Sequence, residues 1–313
     1  MQPDRAGKYR PMPSAPALAR LVIRDTGLAA ELTARAANLD EHRLGRRGVA
    51  KIVGWSLGAI VSIVLVVLYG VPLAADRLAP LVPESFERRF GDVAEKQVHL
   101  VFGEKVCNAS ATGQAAFDKL VGALRNAGGF DSSVQPAVLA SEIPNALALP
   151  GGKIVVFDSL IAKANNPDEI AGVIAHELGH LRHRDNMRGL IYNGGTSFLI
   201  GLLFGDITGS SAVIFASRTL VTSSYSREAE TAADTFSIEI MKKLGRPPKA
   251  MGELMLRVTG KEGGKGLTII STHPLSEDRL ARMSREDQTP KGPPLLTDAE
   301  WQALKGICGK GKV

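Results

Sequence analysis

With 313 residues, 44% of them hydrophobic and 22% charged, the chain carries ample apolar material for a folded domain. Its formal net charge is +6, but the basic residues crowd the segment before residue 52 and no nucleic-acid-binding motif accompanies them, which excludes nucleic acid as a partner. The two cysteines lack zinc-knuckle spacing, and neither an internal repeat nor a dinucleotide-binding loop is present.

Residues 1–19 are rich in Pro, Ala and Arg and read as disordered, and Leu18 to Leu39 reads as a short hairpin around Asp25-Thr26-Gly27. An uncharged apolar run then extends from Ile52 to Ala75, long enough to span a bilayer core, which takes about twenty residues. Trp55 and Tyr69 fall near its ends, as interfacial aromatics do. Arg43, Arg46, Arg47 and Lys51 flank its N-terminal side, so the positive-inside rule places residues 1–51 in the cytoplasm and everything after the span outside, in a bacterium the periplasm. The charged region before the run is too long for a signal peptide. The expected organisation is a cytoplasmic segment (1–51), a transmembrane helix (52–75) through which the chain meets the lipid bilayer, and one domain (76–313) of roughly 230 residues.

Cys107 and Cys308 both follow the span, where an oxidising compartment permits a disulfide; two free thiols are the alternative. Gln114 to Ala127 reads as an amphipathic helix with Phe117, Leu120, Val121 and Leu124 inward. The next helix carries the strongest signal in the chain. Asn166-Pro167-Asp168-Glu169 supplies an N-cap, a proline at the first helical position and first-turn acids, and Ile170, Val173, Ile174, Leu178 and Leu181 form one apolar face. Within it His176-Glu177-Leu178-Gly179-His180 is an HExxH pattern. Residues four apart lie one above the other, so His176 and His180 can reach a single zinc ion while Glu177 projects beside its open position. Gly179 is costly in a helix interior, and a close approach of another backbone would account for it. Two ligands do not complete such a site, so a third is required.

The apolar region from Leu190 to Val221 is broken by Gly205-Asp206 and Gly209-Ser210-Ser211 into halves too short to span, and reads as two buried or interfacial helices. A helix from about Ser226 to Leu244 then brings Glu230 and Asp234 onto one face. Glu230 is the candidate third ligand, and Asp234 is placed to accept the distal N–H of a ligand histidine; an exposed acidic face is the alternative. A Lys- and Gly-rich loop from Gly260 to Gly266, read as a surface loop or a mobile lid, precedes Thr272-His273-Pro274 and a helix from Leu275 to Met283. The capping box Thr297-Asp298-Ala299-Glu300 opens a C-terminal helix.

His176 to His180, then Ser226-Arg227, Glu230, Ala233-Asp234 and Thr272-His273-Pro274, preceded by Asn145-Ala146 and Leu149-Pro150-Gly151-Gly152-Lys153-Ile154, resemble the HtpX-like and OMA-type zinc metallopeptidases, the family that includes the CAAX prenyl protease. The resemblance covers roughly residues 85–285. It implies an α+β, zincin-like (gluzincin) domain, mainly helical with a small sheet, behind one N-terminal transmembrane helix. It also implies one Zn2+ per chain held by His176, His180 and Glu230, Glu177 as general base, and Asp234 behind the ligands. By the same resemblance His273 lies near the metal, either stabilising the oxyanion or filling the open site at rest. The strand Ile154-Val155-Val156-Phe157 is then expected beside the cleft. An extended, unfolded polypeptide would add to its free edge, with Asn145, Ile154 and Val155 contacting substrate. The expectation is a single-pass inner-membrane zinc metalloendopeptidase acting on unfolded or damaged envelope proteins. The alternative is an envelope chaperone or assembly factor with a structural or latent zinc site.

Overall fold

The computed structural model describes residues 2–3, 9–10, 25–35, 46–103, 105–204, 225–259, 272–274 and 276–309. It divides into two units, Met1–Ile63 and Val64–Val313. In the first, Gln2–Pro3 pairs antiparallel with Tyr9–Arg10, and the rest of residues 1–19 lies outside the described residues. The hairpin expected around Asp25 is instead helix α1, Thr26–Arg35. Asp25 Oδ1 accepts from the backbone N–H groups of Gly27 and Leu28, so the turn-forming Asp acts as a helix cap. Glu31 and Arg35 then pair one turn apart at 2.6 Å.

Helix α2, Arg46–Leu65, continues through a π-turn at Val66–Gly70 into α3, Val71–Leu78, and a 3-10 turn at Ala79–Leu81. Pro72 explains the π-turn: it has no N–H to give the carbonyl one turn earlier, and its ring pushes that carbonyl aside. Arg47–Leu81, 35 residues, is by length and composition the one helix among the described residues suited to cross a membrane. It exceeds the expected run at both ends. Its C-terminal end is held by Arg184, whose guanidinium donates to the carbonyls of Pro80 and Val82 and pairs with Glu87.

The sheet has three strands: β1 (Gln135–Leu139), β2 (Ala146–Leu149) and β3 (Lys153–Phe157). β3 is central, parallel to β1 and antiparallel to β2. The β2–β3 turn passes through Gly151 and Gly152 at φ 76° and 82°, where a side chain is strained. Helix α4, Glu84–Phe102, covers one face, packing Ala94, Val98 and Phe102 on Leu147, Leu149, Val155 and Phe157. The other face carries Ile154 and Val156 into the main core with α5, Ala111–Gly128, and α7, Pro167–His183. Alternate residues of β3 thus serve opposite layers. Because both of its edges are paired, β3 offers no free edge, which corrects the expectation for Ile154 and Val155. Those side chains are 0% and 4% exposed, and the edge nearest the HExxH helix is β2.

Short α6, Asp158–Lys163, leads into α7, and α8, Asp185–Phe204, follows it and packs on α3. The first half of the apolar region 190–221 is therefore one helix, and residues 205–224 lie outside the described residues. Helices α9 (Arg227–Lys243), α10 (Lys249–Thr259), α11 (Glu277–Arg285) and α12 (Asp298–Lys305) complete the domain. The capping box opening α12 is formed, Trp301 and Leu304 bury against the α5 layer, and Cys107 joins Cys308 with Cα atoms 4.3 Å apart. That bond ties residues 201 positions apart, so its removal should cost about 2–5 kcal/mol. Urea denaturation of Cys107→Ser/Cys308→Ser against wild type measures this.

Candidate metal centre

Helix α7 is the central beam. The side chain of Asn166 accepts from Glu169 N–H, and Arg184 in the left-handed region (φ 54°) ends the helix. Glu169 does not return a bond to Asn166. Its Oε2 accepts from Asn165 N–H at 2.8 Å, and both its oxygens pair with Arg257. Asp168 pairs with Arg246. Every residue from Asp168 to His180 is buried. At Gly179 a Cβ would lie 2.7 Å from Ala233 Cα and 3.0 Å from its carbonyl oxygen. The glycine therefore lets α9 cross α7 in backbone contact and brings Glu230 to the two histidines. Gly179→Ala should destabilise the fold by about 1–3 kcal/mol through overpacking and weaken metal retention, read by urea midpoint and zinc content.

The crossing creates one cluster. Ligand atoms of His176, His180, Glu230 and His273 all lie within 4.8 Å of one another. Nε2 of His176 is 3.1 Å from Nε2 of His180 and 3.4 Å from Glu230 Oε2, and Nε2 of His180 is 3.6 Å from Glu230 Oε1. Zinc–nitrogen bonds of about 2.0–2.1 Å set tetrahedral neighbours about 3.3 Å apart, so these spacings fit the edges of a zinc site. His273 reaches the fourth corner: its Nδ1 is 3.2 Å from His176 Nε2 and 2.8 Å from Glu230 Oε1. Glu177 lies beside them, its Oε2 accepting from Ala148 N–H of β2 at 2.6 Å. Its Oε1 and Nε2 of His273 face each other at 3.4 Å, both buried and without a hydrogen bond. Orphaned polar atoms at 0% exposure are costly unless a ligand serves them, which supports a bound ion at this centre.

The model of peptidase family M48 matches residues 105–287 of the chain. This chain belongs to peptidase family M48. It is 27% identical over 218 residues to the mitochondrial metalloendopeptidase OMA1 of Schizosaccharomyces pombe, covering 68% of this chain and 64% of that protein. It is 27% identical over 150 residues to the beta-barrel assembly-enhancing protease of Escherichia coli K12 (44% and 31% covered), and 26% identical over 177 residues to the metalloprotease LoiP of the same strain (54% and 70%). The chain spans less than two thirds of the length of the first two.

A second layer of charge surrounds the clustered side chains. Asp234 Oδ1 sits 3.0 Å from His176 Nδ1, close enough for an ion pair but off the line of a hydrogen bond. Asp185 Oδ2 lies 2.9 Å from His180 Nδ1, where it can accept that ring's proton. Arg279 grips both oxygens of Asp234 at 2.7 Å and also lies 2.7 Å from Glu230 Oε2. Tyr225 stacks on His180 with ring centres 3.8 Å apart and donates its hydroxyl to Asn186 at 2.6 Å. Asp185, Arg279 and Tyr225 were not assigned roles from sequence. Asp185 follows the helix end and Arg279 sits on a separate helix, so no spacing rule linked them to the motif. Asn145, expected at the substrate, is 0% exposed. Its Oδ1 instead accepts from Ala146 N–H and the Thr272 hydroxyl, tying β2 to the segment that carries His273.

The electrostatics are those of a cation trap. Burial works against a charged His176, but the adjacent carboxylates of Asp234 and Glu230 outweigh it and raise its pKa to about 10. His180 is also raised: burial opposes, and Asp185 and Glu230 prevail. Burial pushes the Glu230 carboxyl up, yet the charge of His273, its hydrogen bond and the neighbouring imidazoles of His176 and His180 hold it far below the usual carboxylate range. Asp185, Glu230 and Asp234 thus surround the imidazoles with negative charge, which suits a cation, and binding a metal at a protonated histidine releases a proton.

Proposed function

We propose that this chain is a membrane-anchored zinc metalloendopeptidase. The observation that carries the reading is Glu177 Oε1, buried and unbonded, directed at the space beside a His2Glu ligand set; a purely structural site has no use for such a carboxylate. His176, His180 and Glu230 would hold one zinc ion, which supplies a Lewis acid and makes hydroxide available near neutral pH. Glu177 takes the proton on Oε1 as water attacks the peptide carbonyl, and passes it to the leaving amine. Its Oε2, held by Ala148 N–H, fixes which oxygen does this work.

Arg47–Leu81 would anchor the enzyme in a bacterial inner membrane with the domain on the periplasmic side, where the Cys107–Cys308 bond is at home. Substrates are unfolded or damaged envelope polypeptides, a choice supported by the E. coli relatives' printed roles as proteases, one of them beta-barrel assembly-enhancing. The decisive test is cleavage of a reduced, unfolded model protein by the purified full chain. Cleavage should stop on chelation and return with zinc, while the folded form of the same protein is spared. A well-folded chain that takes up no zinc would overturn the reading.

The geometry also favours a latent form. His176, Glu177, His180, Glu230 and His273 are each at most 3% exposed, and His273 fills the corner where water and substrate belong. His273→Ala should therefore raise turnover several-fold with zinc still bound. A fall in kcat would instead assign His273 to the transition state.

A further inference from the structure

Helix α4 is apolar on two opposite sides. Gly91, Ala94, Val98 and Phe102 are buried on the side that covers the sheet. Phe86, Val93 and Leu100 recur every seven residues on the outer side, and they are 49%, 44% and 70% exposed. A seven-residue repeat drifts by only about 20° per step, so the three form one outward stripe. The charges sort with it. Asp92 and Glu95 pair with Lys153 of β3 at 2.7 and 2.6 Å, whereas Arg89 and Lys96, also seven apart, are exposed along one border of the stripe.

We infer that this outer face of α4 lies on the lipid surface, with Phe86, Val93 and Leu100 in the boundary between headgroups and acyl chains and Arg89 and Lys96 against lipid phosphates. Only Val82 and Pro83 separate α4 from the end of the apolar helix, whose last residue, Leu81, is itself 74% exposed. An amphipathic helix bearing basic residues immediately after a membrane span meets the conditions for interfacial binding. The inference rests on the reading that Arg47–Leu81 spans the bilayer. It adds a seating for the domain: α4 lies against the membrane, the sheet above it, and α7 with the metal centre above the sheet. That raises the centre about 20 Å from the headgroups, two packing layers up, within reach of chain segments that have left the bilayer.

The test uses the full chain in phosphatidylcholine vesicles with and without phosphatidylglycerol. Both native cysteines are bonded, so nitroxide labels can be placed singly by Val93→Cys, Leu100→Cys, Leu68→Cys in the apolar helix and Ala115→Cys on exposed α5. Relaxation by oxygen, which partitions into lipid, is compared with relaxation by a water-soluble nickel chelate. The Val93 and Leu100 labels should match the Leu68 label in their oxygen preference and exceed the Ala115 label several-fold. Arg89→Gln/Lys96→Gln should reduce that preference in anionic vesicles only. Val93 and Leu100 labels that behave like Ala115 while Leu68 reports lipid would overturn the seating alone. A Leu68 label in water would overturn the span and the seating with it. Dipolar broadening between α4 labels would show a second copy on this face and also overturn it.

Discussion

Glu177→Gln should lower kcat for peptide hydrolysis about a thousandfold, within the span general acid–base groups contribute, while leaving zinc content and thermal stability unchanged. A thousandfold loss corresponds to about 4 kcal/mol of barrier. The substitution is nearly isosteric, and its carbonyl oxygen can take over the bond from Ala148 N–H. What it removes is the capacity of the second oxygen to accept a proton, at the one position where the wild-type carboxylate has no hydrogen-bond partner. KM should move little, because Glu177 holds no part of the substrate away from the scissile bond. Full zinc occupancy with lost turnover separates hydrolysis from a structural-zinc function. Retained turnover would place the base elsewhere.

How much of this was legible beforehand depended on how local each signal was. Helix α7 carries its own boundaries and motif within eighteen residues, so the motif could be read from spacing; Glu230 and Asp234 lie four apart on a well-capped helix, which spacing alone left open to an exposed acidic face and the family resemblance assigned to the site. Gly179 was legible as a cost that required an explanation, and the Ala233 backbone supplies it. Strand order was not legible, because β2 and β3 are both buried runs and nothing in Ile154-Val155-Val156-Phe157 distinguishes a central strand from an edge. α4 went unread since its apolar residues lie on two sides, which blurs the single stripe that marks a core-facing helix. Asp25 illustrates a different failure: Asp-Thr-Gly suits a turn and a helix cap equally, and the Glu31–Arg35 stretch that follows decides in favour of the helix. The second layer of the site was hidden because Asp185 reaches His180 only through the left-handed turn at Arg184, and Arg279 meets Asp234 and Glu230 only through tertiary packing.

That hidden layer carries the other large effect, at Arg279. Its guanidinium is 8% exposed and serves three groups at once: both oxygens of Asp234, Oε2 of Glu230 and the carbonyl of Pro274, each at 2.7 Å. It therefore ties the helix of the third ligand to the segment carrying His273. Arg279→Met should cost about 3–5 kcal/mol, the loss expected when one partner of a buried ion pair is removed. The pH dependence has a definite sign. Burial works to raise the Asp234 carboxyl, but the hydrogen bonds of Arg279 and the adjacent His176 imidazole hold it below 3.8, so its stabilisation is present above the unfolded value and lost as pH falls through the depressed one. The deficit of Arg279→Met should thus be full at pH 7 and shrink once pH drops below about 4, where the carboxyl is protonated in the unfolded chain. Asp234 freed from Arg279 also steers His176 less firmly, so zinc should dissociate about 10–100-fold faster, the range seen when groups behind metal ligands are lost. Arg279→Lys should recover part of the stability, since it restores charge but not the fork that grips both carboxylate oxygens. Urea midpoints at pH 7 and well below pH 4, with zinc release to a chelator followed at pH 7, read both effects. Wild-type zinc release from Arg279→Met would show that Asp234 and Asp185 hold the imidazoles without help from this arginine.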